Sequence, residues 1–153
     1  DSSLRFVARI SKKFIADIVE DGRVIEFGTA LVSENYFNLG GGGYNNGNPQ
    51  NLLKGDGLST FVNKSIVTNV PAKRIYSDFP DYYRYTAVIT GLSSEKQKST
   101  RFCARAYITY EDANGFERTY YATEDDNEAG VGNYKTGYGA YWKSFNQAYN
   151  DLI

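Results

Sequence analysis

The chain has no histidine and no methionine, and only one cysteine, one tryptophan and three prolines in 153 residues. Without histidine there is no neutral-pH imidazole base and no imidazole metal ligand. Ser–His–Asp and Cys–His catalytic arrangements cannot be assembled. A single thiol, Cys103, excludes an internal disulfide. With no imidazole beside it, it reads as a packed side chain in a strand rather than a nucleophile. No stretch approaches the ~20 apolar residues that cross a bilayer, so no membrane insertion is expected. The formal net charge is −1, too small to draw in nucleic acid or an anionic membrane.

What is present is tyrosine and glycine. There are 14 tyrosines, 9 phenylalanines and 15 glycines, with 41% hydrophobic and 23% charged residues. That balance is ordinary for a folded globular chain, and the length suits one domain over residues 1–153. Leu4, Phe6, Ala8 and Ile10 alternate with Arg5, Val7 and Arg9, which predicts a first strand. Ser11 then stands in a capping position before the stripe Phe14, Ile15, Ile18 and Val19, with Gly22 in place to end a helix. Residues 23–33 predict a second strand, broken at Gly28. Residues 65–77 look extended. Two long alternations follow, residues 82–92 and 100–110, then an Asn114-Gly115 hairpin signal and a returning strand over 116–123. Trp142, Phe145, Ala148, Tyr149 and Leu152 have helical spacing, predicting a helix over 140–153. The expected fold is α+β: an antiparallel sheet of roughly six strands, folded into a sandwich or half-barrel, with one helix after the first strand and one at the C-terminus; a pure β-sandwich with minor helices is the alternative.

Two stretches break the pattern. One holds Tyr36, the run Gly40-Gly41-Gly42-Gly43, Tyr44, Asn45, Asn46 and Asn48; the other holds Tyr134, Tyr138, Tyr141 and Trp142. Tyrosine supplies large contact area at low entropic cost, and Gly and Asn adapt around it. Tyr36, Tyr44, Asn45, Asn46, Tyr134, Tyr138, Tyr141 and Trp142 are therefore the candidate ligand-binding residues. For Trp142 and Tyr141, packing on the C-terminal helix is the alternative. The tetraglycine run has no following Lys-Ser/Thr and is no phosphate loop. Glu124-Asp125-Asp126-Asn127-Glu128 lacks the Asp-x-Asp-x-Asp-Gly spacing of a calcium loop and reads as a solvated acidic turn. Asp17, Asp56, Asp78 and Asp81 supply carboxylates, but nothing sets two of them across a cleft. No catalytic residue, metal or cofactor is expected.

Arg5-Phe6-Val7-Ala8-Arg9 recurs as Arg101-Phe102-Cys103-Ala104-Arg105. Each copy puts two arginines on one strand face and Phe with Ala on the other. Side by side, the copies predict a basic ladder balanced by acids such as Glu26, Glu117 or Asp17, a structural ion-pair network, with an anion-binding patch as the alternative.

Those two segments, with Glu26-Phe27-Gly28-Thr29-Ala30-Leu31-Val32 and Asp112-Ala113-Asn114-Gly115, resemble a non-catalytic module that recurs in large secreted and cell-surface proteins of gut Firmicutes, beside Ig-like, leucine-rich or dockerin modules. The likeness spans residues 4–123; the two tyrosine-rich stretches are more elaborate than the common pattern. It implies a secreted or cell-surface setting and a piece excised from a larger protein. The functional expectation is a monomeric surface module that binds a host protein, such as immunoglobulin, through its tyrosine-rich loops. A carbohydrate-binding module and a structural spacer are the alternatives.

Overall fold

The computed structural model describes residues 2–35, 67–122, 129–131 and 140–152. They form eight strands and three short helices. In chain order these are β1 (Ser2–Ser11), α1 (Lys12–Val19), β2 (Arg23–Ser33), β3 (Thr68–Pro71), β4 (Tyr82–Leu92), α2 (Glu95–Ser99), β5 (Phe102–Glu111), β6 (Glu117–Tyr121), β7 (Ala129–Val131), β8 (Ala140–Lys143) and α3 (Phe145–Leu152). All strand pairings are antiparallel. The first sheet has the order β4-β1-β7, and the second β3-β2-β5-β6, with β8 also pairing β5. The α+β antiparallel architecture expected from the pattern is the one observed, with more strands than six.

The alternation in β1 does what period-two burial demands. Leu4, Phe6, Ala8 and Ile10 are buried on the inner face. They meet Leu31, Ala104, Ala106 and Ile108 of the second sheet in one continuous core. Ala8, Ala104 and Ala106 are small where the two central strands face each other. Phe6 and Tyr85 are the largest wholly buried side chains of this core. Phe27 of the second sheet reaches Tyr83 and Tyr85 of the first, with ring centroids at 5.3 and 5.7 Å. Beneath this, α1 buries Ile15 and Val19, and Phe14 packs on Tyr120 of β6 at 4.9 Å.

The helix starts follow the caps. Ser11 Oγ accepts from the Phe14 N–H at 3.1 Å, as its position predicts. The chain leaves α1 through Glu20 at φ 50°, earlier than Gly22. The hairpin between β5 and β6 turns at Asn114-Gly115, with Gly115 at φ 84°, a value that favours glycine. Asp112 braces it by accepting from the Asn114 and Phe116 N–H groups and from Arg118 Nε. The Arg118 hydrogen bond, and then the Phe116 N–H, hold the Asp112 carboxyl below the usual carboxylate range.

Two expectations are corrected. The C-terminal segment is not helical from residue 140. Residues 140–143 are strand β8, paired with residues 102–105 of β5, and they extend the edge of β5 beyond the end of β6. The helix begins at Phe145, where Ser144 Oγ accepts from the Gln147 N–H at 3.1 Å. Trp142 is therefore a strand residue, opposite Cys103. Nor is β2 broken at Gly28. The strand runs through it, and the glycine serves a different purpose.

Gly28 stands directly opposite Tyr107. A Cβ at Gly28 would overlap the Cζ and Oη atoms of the Tyr107 ring. The ring lies across β2 at the bare backbone, and its hydroxyl donates to Glu26 Oε2. From the core side, Tyr85 crosses between the sheets. Its hydroxyl donates to the Gly28 carbonyl at 3.0 Å and lies 3.3 Å from the Tyr107 carbonyl. One backbone pair is thus clasped by a tyrosine on each face. Burial pushes the Tyr85 phenol well above the ordinary tyrosine value. Burial, then the hydrogen bond to Glu26 and its charge, does the same for Tyr107.

Gly28→Ala is expected to cost about 1–3 kcal/mol in urea unfolding, as overpacking does. The same change in a Tyr107→Ala background should cost much less, because the clash is with that ring. Equal costs in both backgrounds would refute the account. A second expectation follows from the two phenols. The folded chain retains protons that the unfolded chain releases above the ordinary value of 10.0. Stability is full below that pH and falls as pH rises through it. Urea midpoints should therefore hold steady from neutrality towards pH 10 and decline beyond it, with a shallower decline in Tyr85→Phe. An equally steep decline in Tyr85→Phe would count against this.

Candidate functional site

Of the candidate binding residues, Tyr36, Tyr44, Asn45, Asn46, Tyr134 and Tyr138 lie outside the described residues, as do the tetraglycine run, Asp56 and the acidic run 124–128. Tyr141 and Trp142 stand in β8, opposite Ala104 and Cys103. The described strands nearest in sequence to the two tyrosine-rich stretches have an informative register. Asn69 of β3 is opposite Ala30 of β2, Ala30 is opposite Arg105 of β5, and Arg105 is opposite Ala140 of β8. These four residues form one row across the second sheet. After residues 36–66 the described chain resumes next to β3, and after residues 132–139 at β8, about 14 Å from β3 at ordinary strand spacing. The other boundary of the second stretch, Val131, is in the first sheet, opposite Ala8.

The outward face of that row is itself buried. Ala30, Val32, Cys103, Arg105 and Tyr107 are all nearly or wholly inaccessible. Arg105 is the surprise, because a stripe of arginines on a strand normally faces solvent. The predicted basic ladder does not form. β1 and β5 are the central strands of different sheets, packed face to face rather than side by side. The repeated Phe and Ala turn inward in both, and the arginines point away from each other on opposite sides of the molecule. The expected acids have other roles. Asp17 pairs with Lys13 at 2.7 Å, Glu26 accepts from Tyr107, and Arg101 pairs with Glu34 at 2.6 Å.

A surface not anticipated from the sequence lies on the outer side of the first sheet. Arg9 and Arg84 are directly opposite on β1 and β4. The connection before β4 folds back on them through a bridge between Tyr76 and Arg84. The result is an unbroken row of rings and guanidinium groups. Arg74 and Arg84 lie 4.7 and 5.3 Å from the Tyr76 ring. Arg84 lies 5.1 Å from Phe79, Phe79 stacks on Tyr82 at 4.8 Å, and Arg9 lies 5.5 Å from Tyr82. Lys12 adds its charge 5.3 Å from Tyr83 and donates to the Ser77 carbonyl at 2.7 Å. Such contacts hold long cationic side chains in fixed places at a modest gain each. Tyr, Phe and Arg are also the residues that dominate protein-binding surfaces. The sequence signal was the spacing Arg74, Tyr76, Phe79, Tyr82, Arg84, which only the bridge at Tyr76 converts into a surface.

Among the described residues no three of His, Cys, Asp or Glu group as a metal site. Asp78 and Asp81, weighed as catalytic carboxylates, are exposed. No helix there is long and apolar enough to cross a membrane. Comparisons with protein-family models, with curated proteins and with solved structures give no match to this chain.

Proposed function

We propose that this chain is a non-catalytic recognition module of a secreted or cell-surface bacterial protein, and that it binds a host protein, such as immunoglobulin, through its two tyrosine-rich stretches. What supports the reading is the register of the strands next in the chain after residues 36–66 and 132–139: β3 and β8 bracket β2 and β5 in one row of the second sheet. Strands far apart in sequence are thereby held on one support. A binding surface assembled from segments on a stiff sheet loses little conformational entropy when it engages a partner. The residue types agree: Tyr36, Tyr44, Asn45 and Asn46 in one stretch and Tyr134 and Tyr138 in the other are the composition of adaptable protein-binding loops. A lone tryptophan is thin provision for stacking on sugar rings, so a protein ligand is preferred to a glycan.

The test is capture of pooled serum immunoglobulin by the immobilised chain, run beside a glycan array. Tyr44→Ala and Tyr138→Ala are each expected to weaken capture about tenfold, near 1.4 kcal/mol, with an unchanged melting temperature. Undiminished capture after all of Tyr36, Tyr44, Tyr134 and Tyr138 are replaced by alanine would reject the reading. So would glycan retention without protein capture.

A further inference from the structure

We infer that the outer edge of β4, beside the Arg74–Tyr76–Arg84 row, is a docking site for an extended acidic peptide segment of a protein partner, which adds to the first sheet as a further strand. The inference does not depend on the role of the tyrosine-rich stretches.

The register carries the argument. Tyr76 and Arg84 exchange both backbone hydrogen bonds, at 2.8 and 2.9 Å. The N–H and C=O of Arg84 therefore point away from β1. Alternate residues of a strand direct these groups to the same side, so those of Thr86 and Val88 face the same edge. Among the described residues β4 pairs with β1 on one side and meets only Tyr76 on the other. Beyond Tyr76 no described residue pairs with that row of donors and acceptors, and the Val88 side chain on the adjoining outer face is 45% exposed. Neither Thr86 nor Val88 carries the charge or the proline that commonly blunts such an edge. Open edges of this kind accept extended peptides through main-chain hydrogen bonds.

Charge selects the occupant. The same register makes Arg9 and Arg84 a non-hydrogen-bonded pair, the arrangement in which opposed side chains approach most closely. Like charges so placed repel. The Arg84 side chain is fixed by Tyr76 and Phe79, and its buried Nε has no hydrogen-bond acceptor. Arg74 and Arg84 meet rings rather than carboxylates among the described residues, whereas Arg23, Arg101 and Arg118 elsewhere each have an acid. Asp78 and Asp81, the acids of the same connection, are exposed and bond to neither. An incoming strand with acidic residues at alternate positions would set carboxylates against this row, where planar guanidinium groups bind them in bidentate fashion. A second copy of this chain, pairing β4 with β4, would bring two arginine rows together and be repelled.

The probe is a short fluorescein-labelled peptide of alternating glutamate and threonine, titrated against the whole chain by anisotropy and by amide-resolved NMR. Saturable binding that weakens with added salt is expected, with slowed hydrogen exchange at the Thr86 and Val88 amides. Arg84→Gln should weaken it about fivefold, near 1 kcal/mol. Val88→Pro should weaken it about tenfold while leaving the ladder to β1 intact, because the lost N–H points outward. If that variant fails to fold, N-methylation of alternate peptide amides applies the same block to the unmodified protein. The inference is overturned if these changes leave affinity as it was, if a lysine–threonine peptide binds equally well, or if a sulfated polysaccharide binds and the acidic peptide does not. Alanine replacements in the tyrosine-rich stretches should leave this binding unaltered.

Discussion

The structure turns on one close approach, the Tyr107 ring lying flat across the bare backbone of Gly28. Because no side chain intervenes, the ring can reach Glu26 on one face of the second sheet, while Tyr85 reaches the same backbone pair from the other. A buried phenol must find an acceptor, and here the acceptors are main-chain carbonyls of the opposite sheet. Tyr85 therefore does more than fill volume. It ties β4 to β2 and β5 at one height. Hydrophobic burial brings the sheets together without specifying their offset; the shared hydroxyl supplies the direction that burial lacks.

Much of this was legible in the sequence. The alternations of Leu4 to Ile10, of residues 82–92 and of residues 100–110, the Ser11 cap and the Asn114-Gly115 turn each correspond to observed structure, because each is a local rule acting through neighbours. The failures have a common origin in long-range pairing. Trp142 and Phe145 suit a helical stripe, but the open edge of β5 beyond β6 takes residues 140–143 as a strand first. Ser144, a capping residue between the two, was the readable sign of that boundary. The capping box of α2, where Ser94 and Gln97 bond reciprocally, was equally readable and was missed. Gly28 looked like a break because a glycine's effect depends on what lies across from it, and no local pattern reports Tyr107.

The arginines give the sharper lesson. Identical Arg-Phe-x-Ala-Arg segments have different fates. Arg9 is partly exposed, and Arg105, its counterpart by position in the repeat, is 0% exposed. Period-two alternation fixes which residues share a face, but it cannot tell whether the outer face of a sheet is covered. The same limit hid the surface around Tyr76. Its arginines and rings come from β1, from β4 and from the connection ahead of β4, and they meet only because Tyr76 bridges to Arg84.

The place of β1 in its sheet has a kinetic consequence. It precedes the other described strands in the chain, yet it is central, flanked by β4 at residues 82–92 and by β7 at residues 129–131. Its two ladders close loops that span much of the chain, and such distant contacts slow folding. During synthesis Leu4, Phe6 and Ile10 would stay unshielded by their own sheet until residues 82–92 and then 129–131 had followed, so β1 is secured late.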